Sequence, residues 1–221
     1  MESAREGILE RLRMAEKCTA PERIDLPKPF ESGFSREELI EKFAAKLADL
    51  TGAFHRTPDV SGVHEILRQI CEQENVKKLM ASEDDVLRSL NLPQWASGLG
   101  IDVFFAHQFE DREAYKNCVF NEVNAGITTA DFAVAESGTL VMVHDRLNSR
   151  LISLAPVLHI AVVPADRVVP VYEHAVETLF GKVDIPAHIT FVTGPSMTAD
   201  IQGVMFKGMH GPRKIAVILV G

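Results

Sequence analysis

Hydroxyl, carboxyl and imidazole side chains crowd into one stretch near the carboxyl terminus. The turn Gly194-Pro195-Ser196 follows a run of β-branched and nonpolar residues, 189–192, which predicts a strand buried on both faces. Backbone amides at such a turn, together with the hydroxyls of Ser196 and Thr198, form the kind of concave site that binds phosphate or carboxylate. Open α/β sheets bind ligands at the carboxyl ends of their strands. The turn therefore predicts a site for a small anionic molecule.

The same turn has a structural interpretation. Glycine and proline supply the backbone angles of a tight turn, and the hydroxyls of Ser196 and Thr198 can cap the amides that follow. The sequence leaves both interpretations open.

Two acid–base candidates lie beside this turn. Asp200 is a candidate to orient an imidazole or a substrate hydroxyl, and its structural alternative is to cap backbone amides. His210 lies between two glycines, which predicts an exposed loop where an imidazole can transfer protons. Its alternative is a hydrogen bond to a carbonyl.

Composition limits the class of protein. The chain has 221 residues, of which 46% are hydrophobic and 24% charged, with a net charge of −8. These values predict a globular protein and argue against a general nucleic-acid or anionic-membrane binder. The amino terminus is charged and no nonpolar run is long enough to cross a bilayer. We therefore expect no signal peptide and no membrane span.

The cysteines also limit the chemistry of this chain. Cys18, Cys71 and Cys118 are far apart and form no C-x-x-C pair, so this chain by itself cannot form a standard four-cysteine iron–sulfur or zinc site. The histidines show no metal-ligand spacing. We expect no metal site and no cofactor on this chain, and the sparse cysteines fit a reducing cytoplasm.

The elements that position these residues can be predicted from the periodicity of nonpolar side chains. Ser3-Ala4-Arg5-Glu6 predicts the start of a helix, and the proline-rich residues 19–34 predict an extended arm. We therefore divide the chain into residues 1–34, a helix and arm, and residues 35–221, an α/β domain. A second capping box, Ser35 to Glu38, predicts a helix that ends at Gly52.

Strands and helices alternate through the domain. The patterns predict strands at residues 53–56, 76–81, 101–105, 159–163 and 215–220, and helices at 61–73, from 82 to near Pro93 and from Pro170 to 180. Residues 125–132 predict a turn and a short helix, residues 133–136 and 140–143 predict two strands around a tight bend, and residues 145–150 a polar connection. Alternating strands and helices predict a three-layer α/β fold with a mainly parallel sheet.

Four motifs follow one another along the chain: Gly126-Ile127-Thr128-Thr129-Ala130-Asp131, Ala135-Glu136-Ser137-Gly138-Thr139, Gly194-Pro195-Ser196-Met197-Thr198-Ala199-Asp200-Ile201 and Gly208-Met209-His210-Gly211-Pro212. Together they resemble the LUD-domain family, in its single-domain lactate utilization protein C group. The resemblance covers most of the chain from Ser35 onward.

The resemblance implies a fold and a role. It implies a sheet like that of ribose-5-phosphate isomerase, glucosamine-6-phosphate deaminase and the CoA transferases. It also implies oxidation of L-lactate to pyruvate in the cytoplasm, beside partner proteins that carry the iron–sulfur clusters. Two positions depart from the family pattern, because Met197 replaces an arginine and Gln202 replaces a glutamate. These changes either remove a compensating pair or weaken a site for an anion.

The bend at Glu136 adds further candidates. Since CoA transferases of this superfold use a glutamate as nucleophile, Glu136 is a candidate for covalent catalysis, and Ser137, Gly138 and Thr139 are candidates for ligand binding. Asp131 is expected to hold the neighbouring threonine segment. Arg213 and Lys214 supply positive potential or form a solvated charge pair.

Three functions remain open at this point. The first is a component of a lactate-oxidising system that works with iron–sulfur proteins. The second is a stand-alone enzyme that binds a phosphorylated sugar or an acyl-CoA at the Gly194-Pro195-Ser196 turn. The third is a non-catalytic interaction module whose proline-rich arm docks on a partner.

Overall fold

The computed structural model of the chain describes residues 4–15, 33–181, 186–199, 205–208 and 210–221. The predicted cap Ser3, residues 16–32 of the amino-terminal segment, Asp200 and Gln202 lie outside the described residues.

The described residues form eight α-helices and twelve β-strands. The helices are α1 Ala4–Met14, α2 Arg36–Asp49, α3 Val60–Gln73, α4 Asp85–Ser89, α5 Leu92–Ser97, α6 Arg112–Asn117, α7 Arg150–Leu154 and α8 Tyr172–Phe180. The strands are β1 Ala53–Thr57, β2 Lys78–Ala81, β3 Asp102–Phe105, β4 Ala125–Thr129, β5 Phe132–Val134, β6 Thr139–His144, β7 Leu158–Pro164, β8 Val168–Val169, β9 His188–Thr193, β10 Met197–Ala199, β11 Met205–Lys207 and β12 Lys214–Val220.

A six-stranded parallel sheet forms the centre of the domain. Its strand order is β1-β12-β7-β4-β2-β3, and every neighbouring pair is parallel. Strands β4, β7 and β12 are almost entirely buried, as expected for the middle of a sheet covered on both faces. The predicted α/β class with a mainly parallel sheet is confirmed.

Each face of this sheet packs against its own core. On one face, nonpolar residues of α3, α4 and α5, such as Leu67 and Leu87, pack on Ile127 and Ile160. On the other face, α2 packs through Leu39, Ile40, Phe43 and Leu47. The helix α2 begins where the sequence predicted, because the Ser35 side chain accepts from the Glu38 amide and the Glu38 carboxylate accepts from the Ser35 amide.

A second sheet shares the α2 face of the domain. Its order is β8-β5-β6-β9, with β5 and β6 forming the predicted pair of strands around a bend. Its inner face packs into the same core as α2, and its outer face carries Val134 and Val141 against Ala175 and Leu179 of α8. The fold therefore has a mixed layer of one helix and one sheet opposite α3.

Strand β9 corrects one prediction. It pairs antiparallel with β6 in the second sheet, and its side chains are exposed at both ends and half-buried between them. The expectation of a strand buried on both faces is wrong, because β9 lies at the edge of the smaller sheet. A β-branched run alone does not distinguish these two environments.

Residues 125–132 correct a second prediction. They form the central strand β4 and the start of β5 rather than a turn and a helix. Gly126 is required there, because a Cβ atom on it would lie 1.8 Å from the carbonyl oxygen of Ile152. Helix α7, which makes this close approach, follows the predicted polar connection and was not predicted.

The ends of the chain agree with prediction in outline. Helix α1 forms the predicted amino-terminal helical extension, and none of its residues is buried. The boundary at residue 34 stays a prediction. Helix α8 ends at Gly181 as predicted, but it begins at Tyr172, with Val171 rather than Pro170 at its amino-terminal boundary. None of the helices in the described part of the chain combines the length and nonpolar character needed to cross a bilayer.

Candidate functional site

Two of the sequence motifs lie against the carboxyl-terminal end of helix α2, and a third is hydrogen-bonded to one of them. A Cβ on Gly138 would lie 2.8 Å from the Leu47 amide nitrogen, and a Cβ on Gly194 would lie 2.9 Å from the Leu50 Cβ. Both glycines have positive φ, +66° and +76°. The two loops therefore approach the last turn of α2 more closely than any other residue type permits.

Hydrogen bonds link these loops to one another. The Thr139 hydroxyl lies 2.8 Å from both the Ser137 and the Thr193 hydroxyls. The Ser196 amide donates to the Pro212 carbonyl at 2.8 Å, and the Gly208 amide donates to the Ser196 carbonyl at 2.8 Å. We call this set, residues 137–139, 193–196, 208 and 210–212, the motif cluster.

The motif cluster lies at the amino-terminal edge of the parallel sheet. Its last loop leads directly into β12, and the Arg213 amide donates to the Val157 carbonyl just before β7. The Gly194-Pro195-Ser196 turn ends β9 of the second sheet, so it does not lie at the carboxyl edge of the parallel sheet, where ligand sites of open α/β sheets lie.

The geometry of the turn favours its structural interpretation. The Ser196 amide is already bonded to a carbonyl, and the carboxyl-terminal end of a helix carries a partial negative charge that disfavours an anion. Thr198 pairs in register with Phe206, and Met197 pairs with Lys207, which places a cation across from the position of the replaced arginine. Ligand binding by Gly194, Pro195, Ser196 and Thr198 stays a prediction.

The predicted acid–base residues do not converge in the described structure. The Glu136 carboxylate accepts from the Tyr172 amide at 3.2 Å, which caps α8, in an open groove of about 340 Å³ beside Lys42 and Glu173. His210 is exposed, and Asp200 lies outside the described residues. Catalysis by Glu136, Asp200 or His210 stays a prediction without a contact that supports it.

A different crevice lies at the opposite edge of the sheet. The chain passes from β2 outward to β3, and from β4 by way of the second sheet to β7 on the other side. The carboxyl ends of β2 and β4 therefore flank a topological switch point, where open α/β sheets form ligand sites. A cavity of about 220 Å³ lies there, which we call the switch-point crevice.

Aspartates and one arginine line the switch-point crevice. The Asp84 carboxylate accepts from the Thr129 hydroxyl and, at 2.7 Å, from the Ser82 hydroxyl. It also accepts from the Leu87 amide, which caps α4. Arg167 donates to the Ala130 carbonyl at 2.9 Å. The crevice therefore holds its charged groups in fixed orientations.

Two further polar groups complete the lining. The Asp131 carboxylate accepts from the Val143 amide at 2.7 Å and so joins the crevice to the second sheet. The sequence predicts only that Asp131 holds the neighbouring threonine segment. Asn148 is 7% exposed and donates to the Val143 carbonyl, while its side-chain oxygen has no hydrogen-bond partner among the described residues. That oxygen is an acceptor placed beside the cavity.

Sequence reasoning missed Asp84, Thr129, Asn148 and Arg167. The sequence predicts Asp84 as part of a helix start, which it is, and Thr129 as part of a turn. These four residues come together because of the strand order, which cannot be read from the sequence. A search for polar residues just after each predicted strand would have found Ser82 and Asp84, whereas Thr129 ends a strand, β4, that the sequence did not predict.

Two histidines lie between the sheets. His159 is completely buried, and its ring bonds the Thr128 hydroxyl at 2.8 Å. Burial lowers the pKa of His159 to about 4, with a smaller effect of the nearby His144. Burial also lowers the pKa of His144, whose ring contacts the Thr190 hydroxyl and the Asn148 carbonyl. Both imidazoles therefore favour the neutral form.

The described residues show no candidate metal site. They contain no group of three or more histidine, cysteine, aspartate or glutamate side chains with the arrangement needed to hold a metal ion. Cys71 and Cys118 are separately buried.

Comparisons with known proteins agree with the motifs. Residues 40–220 match the model of the LUD domain. Lactate utilization protein C 1 of Bacillus mycoides is 30% identical over 223 residues, covering 95% of this chain and 94% of that protein. Lactate utilization protein C of Deinococcus radiodurans is 26% identical, covering 99% and 98%.

A solved structure shares the fold. The crystal structure of a DUF162 family protein from Deinococcus radiodurans superposes with a TM-score of 0.62 at 23% identity, covering 85% of this chain and 99% of that chain. At this identity the likeness concerns the fold alone. Because the family model spans most of the sequence, including both sheets and the switch-point crevice, the chain belongs to the LUD domain family.

Proposed function

We propose that this protein is a component of a system through which a cell uses lactate. The observation that carries the proposal is the match, over almost the whole of both chains, to proteins named lactate utilization protein C. Alignment over the full length supports a shared role more strongly than a shared domain does, because fold by itself does not fix function.

The reaction we propose for that system is the oxidation of L-lactate to pyruvate in the cytoplasm. This reaction removes two electrons and two protons from the substrate, so it needs an electron acceptor. The three widely spaced cysteines of this chain do not match a standard four-cysteine cluster. We therefore assign the iron–sulfur clusters to partner proteins, and a supporting role to this chain.

We assign the contact of this chain with the hydroxy acid to the switch-point crevice. Among the described residues, Arg167 is the one cation of a lining that also contains Asp84, Asp85, Asp131 and Asp145, and its guanidinium can pair with a carboxylate in a bidentate manner. Asp84 and Asp131 supply acceptors for a hydroxyl. The cavity of about 220 Å³ is of a size suited to a small acid.

Deletion of the gene tests the role. The deletion strain is expected to fail on L-lactate as sole carbon source and to grow normally on pyruvate. Wild-type protein restores growth, and Arg167→Gln restores it poorly at equal protein level. The matched control is Arg112→Gln, on the exposed surface of α6. Undiminished growth of the deletion strain on L-lactate rejects the role, whereas full rescue by Arg167→Gln rejects only the crevice assignment.

Purification from cells tests the partners. A tagged chain is expected to recover proteins that contain iron and acid-labile sulfide from the cytoplasmic fraction. Recovery of the chain alone, under conditions that preserve clusters, contradicts the partner assignment.

One observation favours an interaction module as a second candidate. Helix α1 buries none of its side chains and exposes Ile8, Leu12 and Met14 by 59%, 67% and 76%. Nonpolar side chains on an exposed helix are a typical docking face. Removal of residues 1–34 is expected to release the partners while the domain stays folded, and unchanged partner recovery from the truncated chain excludes this candidate.

A further inference from the structure

A cavity of about 410 Å³ opens at the amino-terminal edge of the parallel sheet, next to the motif cluster. Its nonpolar wall is formed by Ala53, Leu158 and Ala216, at the starts of β1, β7 and β12. Its rim carries the cationic side chains of Lys207, Arg213 and Lys214. We call it the basic pocket.

The rim has more positive than negative charge. Lys214 is paired with Glu74, whose two oxygens lie 2.7 and 2.8 Å from its Nζ. Lys207 instead donates to the neutral Thr51 hydroxyl at 2.8 Å. Among the described residues, ion pairing at this rim is confined to Lys214. In a chain of net charge −8, two cations at the mouth of one cavity, neither paired with a carboxylate of the described residues, attract an anion.

The motif loops hold Arg213 at this mouth. Gly208 has a φ of +74°, and a Cβ on it would lie 2.0 Å from the Arg213 Cγ. Glycine at this position therefore lets the arginine stem pack against the loop that follows β11. The Arg213 amide is bonded to the Val157 carbonyl, so both the backbone and the stem of this side chain are fixed.

The lining of the pocket also includes neutral polar groups. His55, on β1, is half-buried, and burial lowers its pKa. Gln73, at the end of α3, adds an amide. Neutral hydrogen-bonding groups above a nonpolar wall suit the uncharged part of an organic ligand.

We propose that the basic pocket binds a small phosphorylated organic molecule. Its phosphoryl group lies between Lys207 and Arg213, and its uncharged part lies against the wall formed by Ala53, Leu158 and Ala216. A phosphoryl ester carries nearly two negative charges at neutral pH, which matches the two cations of Lys207 and Arg213. Arginine also binds phosphate through two parallel hydrogen bonds.

This site is distinct from the proposed contact with lactate. The switch-point crevice lies at the carboxyl ends of the strands and the basic pocket at their amino ends, so the sheet separates them. The inference therefore goes beyond the proposed function, and the growth experiment and the binding experiment fail independently.

Calorimetric titration of the full-length chain with phenyl phosphate, inorganic phosphate and benzoate tests the proposal. Phenyl phosphate supplies both a phosphoryl group and a nonpolar ring, and we expect it to bind most tightly. Lys207→Gln and Arg213→Gln are each expected to weaken its binding about tenfold, the effect of losing a hydrogen bond to a charged group. Glutamine keeps part of the arginine stem that packs on Gly208.

Lys116→Gln is the matched control. Lys116 lies on α6 and pairs with Glu113, away from the pocket, so its variant should bind as wild type. A second readout is the shift of the Gln73 side-chain amide resonances on addition of phenyl phosphate. Absence of saturable binding, unchanged affinity in both pocket variants, or equal affinity for benzoate overturns the proposal, as does inorganic phosphate binding as tightly as phenyl phosphate.

Discussion

Protonation of His159 should destabilise this protein at mildly acidic pH. The imidazole is completely buried, one ring nitrogen bonds the Thr128 hydroxyl, and Nδ1 has no partner among the described residues. A charged imidazole in this position would lose its hydration without gaining an anion. The native state therefore resists a proton that the unfolded chain accepts readily.

The pKa shift gives the size of the effect. Burial lowers the pKa of His159 from 6.5 to about 4. Because the native pKa is depressed, the contribution is fully present above pH 6.5 and is lost as the pH falls towards 4. At about 1.4 kcal/mol per pKa unit, the total loss is about 3 kcal/mol, and about 2 kcal/mol of it occurs between pH 8 and pH 5.

Urea unfolding at pH 8 and pH 5 measures this loss. Wild type should lose more stability than His159→Gln between the two pH values, and the difference should be about 2 kcal/mol. The difference between proteins isolates His159, since His144 and His55 also have lowered pKa values and titrate in both. His210→Gln, at an exposed histidine, is the control and should follow wild type. If His159→Gln loses as much stability as wild type, the buried imidazole is not the group that takes up the proton.

Three further predictions concern stability. Gly138→Ala should destabilise the protein by about 2 kcal/mol or more, because a Cβ at this positive φ meets the Leu47 amide. Thermal unfolding measures this loss. The control is Gly98→Ala, at a position with open space around it, which should lose less than half as much stability. Ser35→Ala should lower the free energy of unfolding by about 1 kcal/mol, because it removes the cap of α2. An unchanged midpoint in a urea titration would contradict this prediction. Glu136→Ala should increase hydrogen exchange in the first turn of α8, because the Glu136 carboxylate accepts a hydrogen bond from the Tyr172 amide. Unchanged exchange would show that this cap is dispensable.

Local features of the fold could be predicted because their causes are local. The Ser35 capping box needs only neighbouring residues, and helix α3 follows from nonpolar side chains at helical spacing. The bend between β5 and β6 follows from a polar tripeptide between two nonpolar runs. These sequence patterns predict the local structure without knowledge of the tertiary contacts.

Other features had no local cause. Strand β4 contains Gly126, which reads as a breaker until the carbonyl of Ile152 is seen to occupy the place of its side chain. The sequence predicts β9 as a strand but not its burial, because pairing with β6 at the edge of the second sheet is decided by long-range contacts. Register and sheet membership depend on which faces become buried together.

The sequence by itself determined the family, the α/β class and the inventory of reactive side chains, since motifs, periodicity and composition are properties of the chain. Only the tertiary structure decided which of those side chains meet. It placed Asp84, Thr129 and Arg167 around one crevice and turned Glu136 towards the amino terminus of α8. The physical reason is that strand order in a parallel sheet, set by burial of both faces, brings together residues that are distant along the chain.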